Sequence, residues 1–283
     1  MATRGGCAMM RGDLTLPGLD RVPVWLNDPS NWTGPDGLLV RIREHLVYTG
    51  IAVLVAVLIA LPLGLLIGHT GRGVVLVAGV ANGLRAVPTL GFVILLVVWI
   101  SPKIHSQVAV PGLIPRGGLP YILPIEIVLI LLAIPPILTN TYAGVQAVDP
   151  AARDAARGMG MREGQVIAKV EFPCALPLIM SGIRSSTLQV IATATVAAYV
   201  PFLGGLGRFI IDGDQQLYDL RYGYPAMVSA GIVVAVLAVL VDAVLNGVQR
   251  LVVSRGVSER FSRRQARPSA LSAAVAEVGL TNA

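Results

Sequence analysis

The stretch DAARGMGMREGQVIAKVEFP, Asp154 to Pro173, is charged and rich in Ala and Gly, yet it lies between long apolar runs. Further polar groups sit inside those runs. Asn82, Arg85 and Pro88 interrupt one of them, and Ser181, Ser185, Gln189 and Thr193 recur every four residues in another. Such groups suit docking and a hydrogen-bonded path better than bond-making. No residue is assigned a catalytic or metal-ligating role. Cys7 and Cys174 stand far apart, outside any CxxC or Cys/His cluster. The only lysines, Lys103 and Lys169, are followed by Ile104 and Val170, so the Gly-Lys-Ser/Thr of a phosphate-binding loop is missing. Chemical energy has to come from a partner.

The elements that must position these residues are membrane spans. The chain has 283 residues, is 54% hydrophobic and 13% charged, and has a mean hydropathy of +0.73. Soluble domains carry roughly 25% charge. An all-α integral membrane protein is expected. The net charge of +6 does not point to nucleic acid, because the cations gather where apolar segments end. Residues 1–40 lack the continuous apolar core of a secretory signal, so the first span is expected to direct insertion.

A spanning helix needs about 20 apolar residues. Runs of that kind cover His45 to Ile67, Val74 to Ile100, Leu119 to Tyr142, Leu178 to Leu203 and Pro225 to Val248. This makes five spans, or six if the second run breaks at Pro88. The expected organisation is an N-terminal extension (1–44), a membrane domain (45–248) and a basic C-terminal tail (249–283). Arg153, Arg157, Arg162 and Lys169 place the mid-chain loop in the cytoplasm, and Arg250, Arg255, Arg260, Arg263, Arg264 and Arg267 place the tail there. The segment Gly204 to Tyr224 is then external. Residues 1–44 are external with five spans and internal with six.

Within the loop, Asp149 can cap a short helix that Pro150 opens, and Gly158 and Gly160 end it. Ala151, Ala152, Ala155 and Ala156 leave its surface low. A second helical stretch, Arg162 to Phe172, has one apolar face, and Pro173 and Pro177 are expected to turn the chain back into the bilayer. An Ala-surfaced helix of this kind fits a groove on another protein. An amphipathic linker packed on its own bundle would show a similar local pattern.

Spacing favours the first reading. The loop resembles the EAA loop of ABC importer permeases, which reads E-A-A, three residues, G, nine residues, then I-x-L-P. Asp154-Ala155-Ala156, Gly160 and Val170-Glu171-Phe172-Pro173 stand at those positions, with Asp for Glu and Val and Phe for Ile and Leu. NGLRAVPTLGFVILL (82–96), NTYAGVQAVDPAARDAARGMGM (140–161), ALPLIMSGIRSSTLQVIATATVAAYV (175–200) and LGGLG (203–207) are similar to the osmoprotectant branch, the permeases for glycine betaine, carnitine or choline. Methionine-type permeases share the N-x-x-R-x-x-P stretch.

The resemblance implies a type I ABC importer permease fold in the cell membrane. It implies a cytoplasmic ATPase dimer that binds the ATP and Mg, a second permease copy or homologue, and an external solute-binding protein. The coupling residues it implies are Asp149, Pro150, Asp154, Ala155, Ala156, Gly158, Gly160 and Met161. Aromatic residues make up only 5% of the chain, too few for a cage around a quaternary ammonium, so selectivity is expected to reside in the binding protein.

The face carrying Ser181, Ser185, Gln189 and Thr193, together with Asn82, Arg85 and Pro88, is expected to border the translocation path. Helix–helix hydrogen bonding is the bland alternative. Arg184 and Asp242 read as groups near the cytoplasmic interface, and the histidines His45, His69 and His105 as lying at or outside span ends. An ion-driven transporter would need partnered acids within the spans, where only Glu126 and Asp242 occur, and neither has an evident partner. A membrane scaffold that binds a partner through the loop without transport is the remaining alternative.

Overall fold

The computed structural model describes residues 18–73, 79, 83, 86–105, 118–200, 203–216, 218–219 and 222–253. Among them all regular structure is helical: α1 (Val22–Asn27), α2 (Pro29–Trp32), α3 (Leu38–Thr70), α4 (Thr89–Ile100), α5 (Leu119–Gln146), α6 (Pro150–Gly158), α7 (Glu163–Val166), a π-helical turn (Ile167–Glu171), α8 (Phe172–Ala197), α9 (Gly207–Gln215) and α10 (Gly223–Val252). Four stretches are long and apolar enough to span a membrane: α3, α5, Glu163–Ala197 and α10. The 33 residues of α3 extend about 50 Å at 1.5 Å per residue, more than the ~30 Å of a hydrocarbon core, so its ends project. Of the second expected run, 74–78, 80–82 and 84–85 lie outside the described residues, as do Asn82, Arg85, the first 17 residues and 254–283.

Two compact units are distinguished. One gathers Met1–Gly50, Thr89–Glu126 and Ile191–Ala238; the other gathers Ile51–Pro88, Ile127–Val190 and Val239–Ala283. In the first, the Trp25 and Phe209 rings meet edge to face at 5.7 Å. Close by in sequence, Arg41 pairs with Asp36 at 2.9 Å and Glu44 at 3.1 Å, and Glu44 accepts the Gly205 N–H at 2.9 Å. The start of α3 and the 203–207 turn therefore share one end of this unit. α4, at 12 residues about 18 Å long, is a shorter apolar helix and not one of the four spanning stretches.

In the second unit, α3 meets α5 through Gly64 and Gly68, one helical turn apart. A Cβ on Gly64 would stand 2.7 Å from Thr141 Cβ, and one on Gly68 2.6 Å from Val145 Cβ. Small residues at this spacing let backbones touch where no hydrophobic effect drives helices together. Val145, Ala175 and Ile179 form a buried cluster against Leu61, Leu65, Phe172 and Ile183, and Ser186 donates across to the Ala133 carbonyl at 3.0 Å.

Three expectations need correction. The first span, α3, starts at Leu38, ahead of the apolar run, so His45 lies inside it, 1% exposed and 3.1 Å from the Ile191 carbonyl. Pro173 and Pro177 do not turn the chain: both lie within α8, directly after the π-helical turn. The helix is continuous from Glu163 to Ala197, and a membrane helix tolerates such prolines where local π-helical adjustment and neighbouring groups take up the freed carbonyls. The fourth span accordingly ends at Ala197 rather than Leu203.

Candidate functional site

The loop between α5 and α8 is built from local signals. Asp149 caps α6 by accepting the Ala151 N–H at 3.0 Å, and Pro150 occupies the first helical position. At the other end Gly160 adopts φ +83°. Its N–H bonds the Arg157 carbonyl at 2.9 Å, and the Met161 N–H reaches back to the Ala156 carbonyl at 3.2 Å. This is a Schellman closure, in which the left-handed residue is glycine because a Cβ would strain it. Arg162 then starts α7, its N–H held by the Gln165 side chain at 2.9 Å.

The faces of α6 differ. Ala151, Ala152, Asp154, Ala155 and Gly158 are exposed, and Met159 is 72% exposed; Ala156 is 1% exposed and Arg153 is half-buried. The outward face is thus smooth and nearly free of long side chains, with Met159 at its tip. Asp154 meets Arg157 at 3.4 Å.

Beneath α6 lies an ionic network. Arg153 Nε stands 3.0 Å from Glu171 Oε1, an ion pair rather than a well-directed hydrogen bond, and the same guanidinium donates to the Val145 carbonyl. Glu171 Oε2 lies 2.9 Å from His69 Nδ1, and His69 Nε2 lies 3.1 Å from Glu163 Oε2. Arg157 holds Glu163 through two contacts, of 3.0 and 3.1 Å. Those bonds raise the Arg157 pKa further above its ordinary value. Glu171 is fully buried. It stands at the variable position of the closing pattern, and nothing in its neighbourhood in the sequence marks it, because His69 is 102 residues away.

On α8, Ser181 and Ser185 are exposed, Gln189 and Thr193 are half-buried, and the Ser185 hydroxyl turns back to the Gly182 carbonyl at 3.1 Å. The interhelical polar bond comes instead from the neighbouring Ser186. Beside this face Arg184 and Asp242 form a bidentate pair between α8 and α10, with Nη2 to Oδ2 at 2.5 Å and side chains 37% and 26% exposed. Asp242 therefore has a partner. Glu126, 8% exposed, accepts no hydrogen bond among the described residues. Pro88 is exposed ahead of α4.

A helical membrane bundle that turns a short, smooth helix outward on a charged footing is the architecture of an importer's membrane subunit. Residues 50–254 match the family described as "Binding-protein-dependent transport system inner membrane component", and the chain belongs to that family. It is 31% identical over 220 residues to the glycine betaine/carnitine/choline transport system permease protein OpuCB of Bacillus subtilis, spanning 78% of this chain and 90% of that protein. It is 33% identical over 223 residues to the carnitine transport permease protein OpuCB of Listeria monocytogenes, spanning 78% and 91%. The fold is that of the MetNI methionine ABC transporter in an inward-facing conformation, with a TM-score of 0.61 at 21% identity over 77% of this chain and 97% of that one.

Proposed function

We propose that this chain is the permease subunit of an ATP-driven importer for osmoprotectants: glycine betaine, carnitine, choline or related quaternary amines. The names of its relatives support the substrate class. The observation that carries the coupling role is α6, whose exposed Ala/Gly face is shaped to enter a groove and whose opposite face is fixed to the bundle. In this reading the loop and C-terminus are cytoplasmic. A dimer of ATPase subunits binds ATP and Mg and docks on α6 of each of two permease copies or homologues, and an external binding protein delivers the solute near the 203–207 turn.

The subunit carries no bond chemistry of its own and converts a motion at α6 into alternating access. The face carrying Ser181, Ser185, Gln189 and Thr193 borders the path. Ser181 and Ser185 on it are exposed and Gln189 and Thr193 half-buried, and hydrocarbon is a costly neighbour for such groups. Asn82 and Arg85 are proposed for the same path on their sequence position alone, with Pro88 beside them.

The test is uptake of labelled glycine betaine into vesicles carrying the permease, its ATPase and its binding protein. Uptake that needs ATP, that falls with Asp154→Lys, and that unlabelled carnitine or choline but not methionine suppresses is the expected result. Methionine uptake in place of betaine would move the substrate. Uptake that proceeds without the ATPase would overturn the proposal.

A further inference from the structure

We propose that Glu171 fastens α6 to the end of α3, so that a displacement of α6 is passed to the first span as well as to its chain neighbours α5 and α8. The inference rests on the coupling reading above only for what moves α6; the fastening itself is a matter of contacts.

Nine residues with one buried side chain, Ala156, bury too little to hold α6 by packing alone. Its backbone continues into α5 on one side and, through Gly160 and α7, toward α8 on the other. Nothing in the backbone connects it to α3. The side chain of Glu171 does, because its two oxygens face in two directions: Oε1 to Arg153 on α6 at 3.0 Å, and Oε2 to His69 at the end of α3 at 2.9 Å.

The π-helical turn Ile167–Glu171 accounts for the aim of this side chain. One residue too many in a turn rotates the rest of the helix by about 100° relative to a regular α-helix, and such turns tend to occur where a side chain has to be re-aimed. His69 completes the arrangement. Both of its ring nitrogens face carboxylate oxygens, those of Glu171 and Glu163, at 2.9 and 3.1 Å. Burial weakens the competition from water, and removing one partner of such a network strands the other charge.

Hydrogen exchange and transport measured on one assembled complex in lipid test this. Glu171→Gln keeps the shape and removes the charge; amides of α6 should exchange at least about tenfold faster, as expected when a local anchor is lost. His69→Leu leaves Glu171 with Arg153, so α6 should keep its wild-type protection while solute carried per ATP hydrolysed falls. If Glu171→Gln does not insert, Glu171→Asp, which keeps the charge and shortens the reach, serves in its place with the same expected direction. Unchanged exchange in α6 would overturn the fastening, and an unchanged transport-to-hydrolysis ratio in His69→Leu would overturn the passage to α3. If the wild-type complex shows no ATP-driven uptake, the coupling reading has failed, and the exchange comparison still decides the fastening.

Discussion

Gly158 and Gly160, two residues apart, should respond in opposite ways to alanine. Gly160 holds φ +83°, where an L side chain costs about 1–2 kcal/mol, so Gly160→Ala should loosen the loop and reduce uptake at normal expression. Gly158 ends α6 with open space around its Cβ position, and Gly158→Ala should be neutral or gain up to about 1 kcal/mol of helix preference. Thermal melting and uptake assays on the two variants check this directly. The contrast also marks what was legible at this scale. Asp149, Pro150 and Gly160 act through neighbours a few residues away, and short-range signals disclose them. Glu171 could not be picked out, because its partners come from α6 and the end of α3 and only the folded chain brings them together.

Helices in this chain are held together by contacts that a hydropathy plot does not register. Gly68→Leu would press a side chain into Val145, and the pair α3 and α5 should separate, seen as loss of folded protein in membranes while synthesis continues. The Arg184–Asp242 pair between α8 and α10 should behave asymmetrically. Asp242→Leu strands a guanidinium in the membrane and should lower the yield of folded subunit, whereas the double replacement Arg184→Leu/Asp242→Leu should recover much of it. A double variant no better than the single one would show that the pair does more than match charge. Apolar length marked out the long helices, but their ends were missed. The polar first turns of α3 are helical because Arg41 and Glu44 find partners there, and α8 runs through its two prolines because a π-helical turn precedes them.

At the scale of the whole molecule, the five-span reading of the sequence puts residues 1–44 and the mid-chain loop on opposite sides of the membrane. Cysteines placed at Asp20 and Tyr218 should then react with a membrane-impermeant maleimide from one side, and a cysteine at Met159 only from the other. Labelling of Asp20→Cys and Met159→Cys from the same side would require six. The contact of Glu44 with the Gly205 N–H puts the start of α3 beside the 203–207 turn, a pairing that counting Arg and Lys residues could not disclose.

The most direct test of the central claim, that α6 is the docking helix for an ATPase, uses two adjacent alanines. Ala155 is exposed and Ala156 is 1% exposed. In a chain with Cys7 and Cys174 replaced by serine, Ala155→Cys should cross-link through a short bis-maleimide to the ATPase subunit of the assembled importer, and Ala156→Cys should not. No cross-link from Ala155→Cys in a complex that transports, or equal cross-linking from both positions, would contradict a docking role for α6.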